Sequence, residues 1–151
     1  MITPEERPEE FRQKTAAERF KELRQKYKDY TNESYEFAYD VLESTLKKLK
    51  RNTKHLTPRE LLEGYRIHSI NEFGCLAKTV LDRMGLRETK DIGNIVFQLI
   101  EFDLMEKQER DKREEFNNVY DFDVVFNLRP IFSYDSDRKE WKAQYIQRNK
   151  N

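Results

Sequence analysis

Apolar residues recur every three or four positions through most of the first 105 residues, a spacing that predicts helices. Ala16, Phe20, Leu23, Tyr27 and Tyr30 make one stripe among Lys, Arg, Glu and Gln, which predicts a long amphipathic N-terminal helix. Phe37, Ala38, Val41, Leu42, Leu46 and Leu49 do the same for a second helix, running from Ser34 toward Lys50. A third starts where Thr57 caps, Pro58 takes the first helical position and Glu60 can reach back to the amide of the cap. Gly74 and Gly85 each follow a helical run and are expected as left-handed stops, with a short helix between them that turns Leu76, Val80, Leu81 and Met84 inward.

The most ordered rhythm follows, in "TKDIGNIVFQLIEFDLM". Thr89 is expected to cap it and Asp91 to sit near its positive end, while Ile92, Ile95, Val96, Leu99, Ile100 and Leu104 line one side. Gly93, lacking a side chain, would let a neighbouring helix come close. After a charged stretch, "VYDFDVVF" suits a short irregular or helical cap, with a short strand as the alternative, and Asp121 as the capping residue if helical. The tail suggests a short helix from Ser136 with Trp141 and Tyr145 on one side. The expected fold is therefore mainly α, a single-domain helical bundle with a short β or irregular cap near 116–126. Its parts are an amphipathic arm over 1–32, a helical core over 33–127 and a basic extension over 128–151.

Composition narrows the functions. The 151 residues suffice for one core, and 29 basic residues balance 29 acidic ones, so no overall field draws the protein to nucleic acid or membrane. The balance conceals segments of net +2 over 1–56, −5 over 57–126 and +3 over 127–151, counted along the sequence. No apolar run approaches the roughly 20 residues of a membrane span. A single cysteine, Cys75, excludes an intrachain disulfide, and the start of the chain lacks a basic and then apolar leader, so a cytoplasmic location is expected.

Four stretches, "HLTPRELLEGYR", "FGCLAKTVLDRMGL", "TKDIGNIVFQLIE" and "FNNVYDFDVVF", occur in that order over roughly residues 35–126. Together they resemble the uncharacterised family of small conserved proteins known mainly from Planctomycetes and Verrucomicrobia. The resemblance implies a shared fold and brings neither an activity nor functional residues.

Candidate chemistry is thin. His55 and His68 lack the i+3 or i+4 partners of a metal-binding helix, and Cys75 has no base beside it in sequence, which makes it a small buried hydrophobe in expectation. No catalytic set, metal site or cofactor motif appears, so the expectation is a protein that is not an enzyme. "CLAKTVLDRMGLRETKDIGNIVFQLIEFDLM" has the outline of a helix-turn-helix, but its second helix offers Asn94, Gln98, Glu101 and Asp103 within an acidic segment, which suits a core better than a polyanion. The expected role is an adaptor or accessory subunit of a larger assembly, with Phe20, Leu23, Tyr27, Tyr30 and Trp141 as anchors for another protein or a second copy. The alternative is a nucleic-acid-binding protein, either through a winged-helix-like core or by contact with RNA or DNA through Lys47, Lys48, Lys50, Arg51 and Lys54, joined by basic residues of the tail.

Overall fold

A computed structural model describes residues 6–53, 55–106 and 112–148. The chain is mainly helical, with a two-stranded antiparallel sheet as the last element among the described residues. Among the described residues six helices precede the sheet: α1 (Ala16–Lys26), α2 (Asn32–Lys48), α3 (Pro58–Phe73), α4 (Ala77–Met84), α5 (Thr89–Glu101) and the single turn α6 (Phe122–Val125). The strands are β1 (Leu128–Asp135) and β2 (Glu140–Gln147). Short 3-10 turns lie at Glu9–Phe11, Gly74–Leu76 and Arg113–Phe116.

Local chemistry sets the boundaries. The hydroxyl of Thr57 accepts from the Glu60 amide at 3.2 Å and the Glu60 carboxylate accepts from the Thr57 amide at 2.9 Å, the reciprocal cap expected for α3. Gly74 and Gly85 end their helices at φ +54° and +93°, where a Cβ would be strained. At α5 the expected cap moves by one residue. Glu88 holds the cap position, and Asp91 accepts from the amides of Arg87 (2.9 Å) and Glu88 (3.0 Å). Thr89 is instead fully buried and ties in the segment after residue 111: its hydroxyl donates to the Phe116 carbonyl at 2.6 Å and accepts from the Val119 amide at 3.1 Å.

The long N-terminal helix is shorter than expected. It stops at Lys26 because Tyr27 is extended, at φ −118° and ψ 123°, and Thr31 then caps α2 by accepting from the Ser34 amide. Tyr30 reaches the core from this link, with its hydroxyl donating to Asp91 at 2.7 Å and accepting from Asn94 at 2.8 Å. Near 116–126 the segment is the helical form of the expected cap and not a strand, since Asp121 caps α6 by accepting from the Asp123 amide at 2.8 Å. The tail is a hairpin rather than a helix from Ser136.

One buried cluster joins Leu23, Tyr35, Leu62, Leu81, Leu99 and Phe122, so every helix contributes to it. α1 thus belongs to the core. Gly93 makes room for Phe116, whose Cβ lies 2.7 Å from where a Cβ on residue 93 would stand, so the close neighbour is a 3-10 turn rather than a helix. Cys75 is exposed and Leu76 is 64% exposed, against the expectation that both face inward. The 3-10 turn over Gly74–Leu76 interrupts the helical phase and rotates them outward.

Tyr65 is fully buried against the Phe37 ring, with centroids 5.6 Å apart, and its hydroxyl has no hydrogen-bond partner. Tyr65→Phe is expected to raise stability by about 1 kcal/mol, because it deletes an unsatisfied buried group and keeps the ring. Burial also pushes the Tyr65 hydroxyl pKa far up. Above about pH 10 the unfolded chain loses this proton while the folded chain keeps it, so wild-type stability falls by up to about 1.4 kcal/mol per pH unit and the variant's advantage widens. Urea melts at neutral and alkaline pH read both effects; a lower midpoint for the variant at pH 7 contradicts the argument.

Candidate functional site

The hairpin is built from its base outward. Leu128 is buried, the Arg148 amide donates to the Asn127 carbonyl at 2.8 Å, and Arg148 Nε donates to the Leu128 carbonyl at 3.2 Å. Tyr145 is seated on Gly74, where any Cβ would lie 2.6 Å from the Tyr145 ring. The strands pair in simple register from Leu128 opposite Gln147 to Asp135 opposite Glu140. At the turn, Asp135 accepts from the amides of Asp137 (3.0 Å) and Arg138 (3.2 Å), and Lys139 takes φ +56°. Lys142 reaches back to Asp135 at 2.9 Å, and this contact with the two amides holds the Asp135 carboxyl below the usual carboxylate range.

Alternation along the strands separates the side chains into two faces. Leu128, Pro130, Phe132 and Tyr134 share a face with Trp141, Ala143, Tyr145 and Gln147, and no charge lies among them. Arg129, Asp135, Glu140 and Lys142 all fall on the other face. The uncharged face rests on the helical body only at its base. Farther out, Phe132 is 66% exposed, Tyr134 52% and Trp141 72%, and the Tyr134 and Trp141 rings lie 5.3 Å apart. Five of the nine large hydrophobic residues exposed among the described residues are on this hairpin, so the apolar surface is concentrated there.

The other expected site residues lie elsewhere. Leu23 is fully buried and Tyr30 nearly so, Phe20 packs on Tyr35 at 5.5 Å, and Tyr27 packs on Phe102 while donating to Glu101 at 2.6 Å. The chain's own core occupies this stripe, which corrects its expected placement as a set of exposed anchors. Of the five, only Trp141 stands free of the core.

In the basic cluster, Arg51 donates to Glu60 at 2.7 Å and Lys47 pairs with Glu43 at 3.4 Å, while Lys48 and Lys50 are exposed. Lys54 lies outside the described residues. The polar side of α5 is also engaged internally: Gln98 is buried and accepts from Tyr35 at 2.5 Å, and Asn94 accepts from Arg113 at 2.6 Å. His68 lies against Phe37, and His55 is 3.8 Å from Glu106. Among the described residues, no group of three His, Cys, Asp or Glu side chains is placed to hold a metal ion, and no helix is long and apolar enough to cross a membrane.

The sequence pattern paired Tyr145 with Trp141, although on a helix, and missed Phe132 and Tyr134 as their companions. The signal was the period of two in "IFSYD" and "EWKAQYI", on either side of a polar turn. Compared with known proteins, the chain matches no family model, no curated protein and no solved structure.

Proposed function

We propose that this protein works by binding another protein, as a non-enzymatic accessory subunit, and that the projecting hairpin is its docking element. The observation that carries this reading is the uncharged aromatic face of Phe132, Tyr134 and Trp141, exposed beyond the helical body. A two-stranded hairpin alone is marginal in water and gains stability when a surface covers it. Together with Tyr145, these rings expose about 500 Å². Covering that area on both partners reaches only about 1,000 Å² in total, the size of a reversible contact rather than an obligate one. The partner surface is itself apolar, since the face offers no charge to complement.

The test compares wild type, a Phe132→Glu/Trp141→Glu variant and a Lys47→Glu/Lys48→Glu variant as baits in extracts of the native host, with quantitative mass spectrometry and nucleic-acid assay at low and high salt. The expected result is a protein retained by wild type and by the lysine variant, lost from the hairpin variant and insensitive to salt. Retention by the hairpin variant, or capture of nucleic acid that salt releases and the lysine changes abolish, overturns the reading in favour of an electrostatic partner.

A further inference from the structure

A second site lies on the opposite kind of surface, a concave one. Between the start of α1, the middle of α2 and the segment after α5 is a cleft of about 550 Å³. Tyr39, Leu42, Leu46, Leu104 and Met105 line it together with Arg19. The volume falls in the usual range for small-molecule sites, and the lining is mostly apolar.

Arg19 has no evident reason to be charged there. It is 4% exposed, and its side chain's one hydrogen bond runs from Nη1 to the Lys14 carbonyl at 2.6 Å. A guanidinium has five donors in a planar fork, and here Nε is enclosed without a partner. The neighbouring charges do not supply the missing anion. Asp103 faces Arg7 at 3.5 Å, Glu43 pairs with Lys47 at 3.4 Å, and Glu106 lies 3.8 Å from His55. Arg7 Nε and Asp103 Oδ2 are also enclosed in this cleft but face each other as an ion pair, which leaves Arg19 Nε as the enclosed charged atom without a partner there among the described residues. Removing a charge from water without pairing it is costly, and a guanidinium left unpaired beside a cavity marks the place where an anionic group of a ligand belongs.

We infer that this cleft binds a carboxylate with an aliphatic tail, its head on the Arg19 guanidinium and its chain along Leu42, Leu46, Leu104 and Met105. One uncompensated cation matches one negative charge, and the acidic groups at the rim disfavour a dianion such as a phosphate monoester. Arginine suits a planar carboxylate through paired N–H donors.

The test is calorimetry and thermal melting of the whole chain with dodecanoate, dodecanol and dodecyl phosphate below their micelle concentrations. Wild type is expected to bind dodecanoate about tenfold or more tighter than either analogue and to melt at a higher temperature with it. Arg19→Met keeps the apolar stem and is expected to bind dodecanoate and dodecanol alike, with a ligand-free melting temperature no lower than wild type. Leu46→Trp keeps Arg19 but fills the cleft, and is expected to lose both ligands; this variant decides the matter if Arg19→Met does not fold. Absence of dodecanoate binding, equal binding by Arg19→Met, undiminished binding by Leu46→Trp, or a preference for dodecyl phosphate each overturns the assignment.

Discussion

Leu99→Ala is expected to destabilise the protein by about 2–5 kcal/mol, which lowers the melting temperature by roughly 5–15 °C in a chain of this size. Leu99 is fully buried in α5, within the cluster that joins the other helices. The expected loss combines the transfer of the removed methyl groups with a void that the surrounding core, whose members include the rings of Tyr35, Tyr65 and Phe116, fills only in part, because a close-packed interior relaxes little. Chemical denaturation followed by far-ultraviolet dichroism measures the change. A loss below about 1 kcal/mol means that the core collapses around the site and that α5 is not its centre.

Asp91→Ala is expected to cost about 3 kcal/mol although Asp91 is only part-buried. Its carboxylate accepts from the amides of Arg87 and Glu88 and from the Tyr30 hydroxyl at 2.7 Å, so one side chain closes the entry to α5 and secures the link between α1 and α2. Asp91→Asn keeps one acceptor oxygen and is expected to lose about half as much. Thermal melts of the two variants with Tyr30→Phe form a double-mutant cycle, and strict additivity of Asp91→Ala with Tyr30→Phe contradicts a shared network.

Most of the helical plan is readable from the chain because its signals are local. The caps at Thr57 and Asp121, the stops at Gly74 and Gly85, and the 3.6 period of α5 each depend on residues within a turn or two of one another. The misreadings share a physical cause. A separation of four places two residues on one side of a helix and equally on one face of a strand, so Trp141 and Tyr145 alone could not distinguish the two. Phe132 and Tyr134, two apart, break that degeneracy in favour of a strand. The stripe from Ala16 to Tyr30 was deceptive in another way: Tyr30 is buried as a helix would have it, but arrives through an extended link.

The sites were harder to see than the fold. Gln98 and Asn94 look solvent-facing in sequence, yet their partners Tyr35 and Tyr30 lie 63 and 64 positions away, beyond any local pattern. The same holds for Arg19, which reads as one more surface cation on an amphipathic helix. Only the fold, by packing α2 and the end of α5 against it, makes its charge conspicuous.

Trp141, the chain's one tryptophan, is placed at the far end of the hairpin from the body, so indole emission monitors that ribbon alone. Backbone ellipticity near 222 nm, by contrast, follows the six helices. Superimposing the two melting curves therefore compares the appendage with the bundle without introducing any label, and the gap between them measures how weakly one is mechanically coupled to the other.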